Sequence, residues 1–83
     1  MLNIYRNKGE SFRVYNEIKD IECIVTLIDH NYPNCVLKIN GEMQIKKIPD
    51  TTLINECSIT ILNIDRGVKF GLIAPRHILI NRV

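Results

Sequence analysis

Apolar and polar residues alternate with a period of two along almost the whole chain, and no stretch sustains the 3.6-residue period of an amphipathic helix. Side chains at i and i+2 share a face in a strand, so the pattern predicts an all-β fold. Leu2, Ile4 and Arg6 share one face of a first strand, with Asn3 and Tyr5 on the other, and Asn7-Lys8-Gly9-Glu10 reads as a turn. Phe12 and Val14 then alternate with Arg13 and Tyr15. A third strand, from about Glu22 to Ile28, is apolar on both faces and is predicted to be buried. Turn chemistry from Asp29 to Asn34 separates it from a fourth, in which Cys35, Leu37 and Ile39 alternate with Val36 and Lys38. Asn40-Gly41 is the strongest hairpin signal in the chain. Met43 and Ile45 follow, alternating with Gln44 and Lys46 until Pro49-Asp50 ends the strand.

The second half follows the same plan. Leu53-Ile54 predicts a short strand, Asn55-Glu56 a turn and Ile59 to Ile64 a long apolar strand. Asp65-Arg66-Gly67 predicts a tight turn before an alternating strand from Val68 to Leu72. Ala74-Pro75-Arg76-His77 predicts a loop, and Ile78, Ile80 and Arg82 lie on a closing strand. Glu22-Cys23, an aliphatic strand, an acidic turn and an alternating strand recur from Glu56-Cys57 onward. The spacing from Cys23 to Cys35 nearly matches that from Cys57 to Val68. One domain spanning 1–83, with internal repeats at about 1–48 and 49–83, is one organisation that fits. A single unit carrying an inserted hairpin is the other.

Size and composition narrow the classes. A chain of 83 residues buries only roughly 60–65% of its extended surface, so small domains of this kind gain core by pairing or by internal duplication. The apolar share of 46% and charged share of 24% are those of a folded globular protein. A net charge of +2 does not announce nucleic acid, which makes local arginine clusters the more informative feature. Cys23, Cys35 and Cys57 are odd in number, lack CxxC spacing and sit in or beside apolar runs, so they are expected to be reduced core thiols. His30 and Cys35 flank a turn, but one such pair falls short of a metal site, and none is expected. No signal-peptide pattern opens the chain and no apolar run is long enough to cross a membrane as a helix. A cytoplasmic, membrane-free protein is the expectation.

Two stretches at opposite ends resemble the CsrA/RsmA carbon-storage-regulator family of bacterial RNA-binding proteins. The first is Met1-Leu2-Asn3-Ile4-Tyr5-Arg6-Asn7-Lys8-Gly9-Glu10-Ser11. The second runs from Ser58-Ile59-Thr60-Ile61-Leu62 through Val68-Lys69-Phe70-Gly71-Leu72 to Ala74-Pro75-Arg76 and Ile80-Asn81-Arg82. Together they cover about half the chain. The resemblance implies a small intertwined antiparallel sandwich or barrel, and a regulator of translation that binds GGA-containing single-stranded loops of messenger or small RNA. It implies that Ile4, Tyr5 and Arg6 face RNA together with Ile80, Asn81 and Arg82, and that the Ala74-Pro75-Arg76 loop lines the same pocket.

The residues support that reading on physical grounds. Arg6 continues the face of Leu2 and Ile4, and Arg82 that of Ile78 and Ile80, so each arginine ends an apolar row at the rim of a sheet. A guanidinium fork pairs with guanine O6 and N7 or with phosphate, and strand-edge backbone reads splayed bases. About forty residues separate the matching ends where the family has a few. Asn7 and Asn81 replace a usual basic residue and a histidine, and the family's terminal helix has no counterpart before Val83. If the middle is a degenerate copy, the chain is a single-chain pseudo-dimer in which the first strand pairs with the last. Its second pocket then holds Lys46 and Lys47, point charges rather than forks, and is weak. A homodimer with an inserted hairpin is the competing architecture.

Catalysis and cofactors find no support. His30 and His77 sit in no catalytic motif, the glutamates are scattered, and Gly67 and Gly71 do not open a phosphate loop. A binding protein, not an enzyme, is expected. The alternative to RNA binding is a protein-interaction module, or a decoy that pairs with a regular family member.

Overall fold

The computed structural model describes residues 1–83, and every element is a strand. In chain order these are β1 (Leu2–Arg6), β2 (Ser11–Asn16), β3 (Ile21–Asn31), β4 (Asn34–Ile39), β5 (Glu42–Lys47), β6 (Thr51–Ile54), β7 (Cys57–Ile64), β8 (Val68–Ile73) and β9 (Ile78–Arg82). Each predicted strand is present. The third is longer than expected, because His30 pairs with Cys35 and Asn31 with Asn34, which leaves only Tyr32-Pro33 to turn the chain. Its burial is also one-sided: Cys23, Val25 and Leu27 are buried, whereas Ile24 and Ile28 are only partly covered. At the β4–β5 hairpin Asn40 and Gly41 both have positive φ, 49° and 86°, as a two-residue primed turn requires.

Two antiparallel sheets form, in the orders β1-β8-β7-β6 and β5-β4-β3-β2-β9. They stay separate, with open edges at β1, β6, β5 and β9, so the architecture is a sandwich and not a closed barrel. The strands interlock: β1 leaves its neighbour β2 to pair with β8, and β9 leaves β8 to pair with β2. The expected pairing of the first strand with the last does not occur. Each instead ends a different sheet.

Seventeen buried apolar residues form one core between the sheets. Phe12 from β2 and Phe70 from β8 meet across it with ring centroids 5.2 Å apart. All three cysteines are free and buried. Burial, with Asp50 nearby, pushes the Cys35 thiol up to about 11, where it is an unreactive apolar group.

The stretch β1–β4 and the stretch β5–β8 share their internal bonds. Glu10 N–H donates to the Asn7 carbonyl (2.9 Å) while its carboxylate accepts from Asn7 N–H (2.7 Å). Asp50 does the same with Lys47, at 2.7 and 2.9 Å. The Glu10 carbonyl accepts from Leu27 N–H and the Asp50 carbonyl from Ile61 N–H, both at 2.9 Å. The Ser11 and Thr26 hydroxyls are hydrogen-bonded at 2.7 Å, and those of Thr51 and Thr60 at 2.8 Å. A register shift falls between Leu27 and Asp29 in β3 and between Ile61 and Asn63 in β7. In this correspondence β6 takes the place of β2, but nothing takes the place of β9 beside it.

Candidate nucleic-acid interface

The sequence singled out residues on β1, on β9 and in the loop before β9. β1 and β9 are edge strands of different sheets. At one end they are linked through Leu2, which pairs with Leu72, and the Ala74–His77 loop that leads from β8 into β9. At the other end they meet on one atom. The Arg6 guanidinium donates through Nη1 to the Ser11 carbonyl oxygen (3.3 Å), and the same oxygen accepts from Val83 N–H (3.2 Å). Arg82, immediately before Val83, is exposed and has no protein partner.

The two arginines therefore differ in availability. Arg6 has a side chain only 13% exposed; its Nε donates to the Tyr5 carbonyl at 2.8 Å and lies 4.0 Å from a Glu10 oxygen. Five N–H groups in a fixed fork leave some of its donors unspent. Arg82 keeps its whole fork.

Tyr5 lies on the outer face of β1, and its hydroxyl donates to Asp65 Oδ1 at 2.6 Å. That bond holds the Tyr5 phenol above its ordinary pKa and the Asp65 carboxyl below the usual carboxylate range. The ring is thus fixed in place while 41% of the residue remains exposed, as a stacking platform requires. Ile4 is different: at 2% exposure it belongs to the core, and its side chain is closed to any ligand.

Just beyond the two ends of β9, Val83 N–H donates to the Ser11 carbonyl at the start of β2, and the His77 carbonyl accepts from Glu17 N–H, just past the end of β2, at 2.9 Å. Antiparallel pairing alternates, so the main-chain groups of Ile80 and Arg82 point away from β2, to the open edge. The Ile80 side chain packs against the core, whereas Asn81 faces outward opposite Arg13. Arg13 lies 4.7 Å over the Tyr15 ring and 3.0 Å from Glu22. Pro75 and Arg76 are exposed and Ala74 packs on the core, beyond the far end of β9 from Arg82, with the roughly 13 Å length of the strand between them. The predicted residues consequently line one edge of the sandwich from end to end and do not close a compact pocket.

Sequence reasoning missed the groups that hold this edge. Gly67 is buried so tightly under β1 that a Cβ would lie 2.5 Å from the Arg6 carbonyl oxygen and 2.9 Å from the Tyr5 ring. Its neighbour Arg66 is exposed beside the Tyr5–Asp65 pair, adding a cation to the Arg6 end. Glu56 accepts from Asn16 Nδ2 (2.7 Å) and lies 3.0 Å from His77 Nε2, which anchors the loop before β9 to the other sheet. No signal in a single sequence marks such pairings, because their members lie far apart along the chain.

Lys46 stands where Arg6 stands in the first half, with Thr51 in the place of Ser11. No strand flanks β6 on its outer side, so this counterpart lacks everything that β9 supplies to the first edge. Lys47 is exposed, its main chain tied to Asp50.

One shallow surface depression is lined by Asp29, His30, Asn31, Asn34, Cys35 and Val36. No group of three or more metal-ligating side chains converges anywhere, and no helix of the structure could cross a membrane.

Comparison with known proteins yields no match: no family model, no curated protein and no solved structure shows significant similarity to the chain.

Proposed function

We propose that the protein is a cytoplasmic, CsrA-like RNA-binding module, not an enzyme, that recognises GGA-bearing single-stranded loops of messenger or small RNA along the β1–β9 edge. The observation that carries the reading is the shared Ser11 carbonyl. It brings the end of β9, with the unpartnered Arg82 and the free backbone of Ile80 and Arg82, next to Arg6, while the pinned ring of Tyr5 stands on the outer face of the same strand β1. This offers a guanidinium for a guanine edge or phosphate, an aromatic face for stacking and strand-edge groups for splayed bases. Asn81, Ala74, Pro75 and Arg76 extend the track toward the start of β9, and Ile4, buried in the core, holds β1 in place beneath it.

The chain is read here as a single-chain pseudo-dimer. The recurring bonds support units of 1–40 and 41–83, with the join at the Asn40-Gly41 hairpin and β5 counted with the second unit. On this reading there is one complete RNA site per chain, since the site at Lys46 and Lys47 lacks its flanking strand.

Titration with a labelled hairpin displaying GGA in its loop, beside a loop-scrambled hairpin and at several salt concentrations, tests the proposal. Saturation that depends on the loop, at one RNA per chain, is expected. Equal weak binding of both hairpins that fades with salt would reduce the arginines to a basic rim and reject the function.

A further inference from the structure

We propose that the free edge of β6 is a docking site for an extended strand of a partner protein, laid antiparallel to β6 and carrying aliphatic residues at alternate positions as β9 does. The inference does not rest on RNA binding. It rests on the correspondence between β2 and β6. Both follow the same main-chain and carboxylate turn, at Glu10 and at Asp50, and both present a hydroxyl to a threonine of the next strand. In one sheet that strand is covered by β9; in the other it is bare.

The correspondence also gives the register. Ser11 and Arg13 direct their main-chain groups to β9, because Ser11 bonds to Val83 and alternate residues follow. The Asp50 carbonyl accepts from Ile61, so Asp50, Thr52 and Ile54 turn their backbone toward β7. Thr51 and Leu53, the counterparts of Ser11 and Arg13, are left facing the empty side. An incoming strand in the β9 register would place its inward residues opposite Thr52 and Ile54, where the core reaches the edge.

β6 is also unguarded. The other three edge strands carry charges, namely Arg6, Arg82, and Glu42 with Lys46 and Lys47, the usual means of discouraging strand addition. β6 reads Thr-Thr-Leu-Ile, without charge, proline or bulge, and Leu53 is 74% exposed. A second copy of the chain does not supply the missing strand, since its β9 is already tied at both ends to its own β2. A partner strand bound by backbone addition is the occupant that fits.

The test titrates isotope-labelled full-length protein with a synthetic peptide of the sequence Arg76–Val83, the chain's own β9. Shifts and slowed hydrogen exchange at the Thr51 and Leu53 amides are expected, and a scrambled peptide should leave them unmoved. Leu53→Pro, which removes an outward-facing N–H, should weaken binding at least tenfold while GGA-hairpin binding persists. Because that variant could disturb β6, the same peptide N-methylated at alternate backbone positions is titrated against the unaltered protein and should fail to bind. Absence of shifts at β6, or shifts confined to β2 through exchange with β9, overturns the proposal. So does a dimer that forms through β6 without peptide.

Discussion

Arg6 and Val83, near opposite ends of the chain, are joined through a single oxygen atom, the carbonyl of Ser11. The consequence is a division of labour between the two arginines at this corner. Arg6 spends donors on its own backbone and on Ser11, and so fixes the corner; Arg82 is presented by it with every donor free. Removing the first alters geometry, and removing the second alters only what the edge offers to a ligand.

Arg82→Ala should therefore cost about 1–3 kcal/mol of GGA-hairpin affinity, the scale of one bidentate base contact, with no change in the thermal midpoint. Arg82→Lys should not restore it, because an ammonium lacks the planar fork. Parallel hairpin titrations and melting curves check both statements, and an affinity unchanged by either substitution takes Arg82 out of the site.

Lys47→Ala should leave hairpin affinity within about twofold, at the level of a solvated surface charge. Its strand lies beside β4 at an edge where no counterpart of β9 exists. A loss as large as that of Arg82→Ala would mean two working sites per chain, visible also as two hairpins bound at saturation.

How much of this was readable beforehand follows from the range of each signal. Period-two alternation and turn residues act within a few positions, so all nine strands and the Asn40-Gly41 hairpin could be read directly. The likeness of Cys23 and Cys57 was readable too, because equivalent strands need equivalent core residues: Cys35 and Val68 do occupy matching places opposite His30 and Ile64. Pairing partners are another matter. β1 has apolar faces that would suit either β8 or β9, and only closure of both sheets together decides for β8. The same blindness placed Ile4 in the binding edge, since its alternation marks a face without saying that the face is covered. The open side of β6 was invisible, because a missing neighbour leaves no trace in Thr51–Ile54.

Gly67→Ala tests the packing under β1. The added methyl meets the Arg6 carbonyl oxygen at 2.5 Å and the Tyr5 ring at 2.9 Å, and backbone yields far less easily than the end of a side chain. A destabilisation of about 1–3 kcal/mol is expected from such overpacking. Hairpin affinity should fall as well, since both Arg6 and Tyr5 are displaced. A denaturant series gives the first quantity and the titration the second; a stable variant with intact binding would show that β1 moves freely over the turn.

The last prediction concerns acid. Glu56 is held below the usual carboxylate range first by the His77 contact and then by the Asn16 hydrogen bond, with Lys19 adding its charge at 3.4 Å. A carboxyl whose folded pKa lies below its unfolded value contributes stability above the unfolded value and loses it as pH falls through the folded one. The protein should thus hold its melting temperature from neutrality down to the ordinary glutamate range and lose it progressively below. Glu56→Gln keeps an acceptor for Asn16 but has no charge to lose, so its melting temperature should start lower at neutral pH and decline less steeply in acid. The loop before β9 is anchored by the same contact, and its amides should exchange faster in the variant at neutral pH. Parallel acid profiles for the two proteins would assign the decline to other carboxylates, Asp65 and Asp29 foremost, since both are also held below their ordinary range.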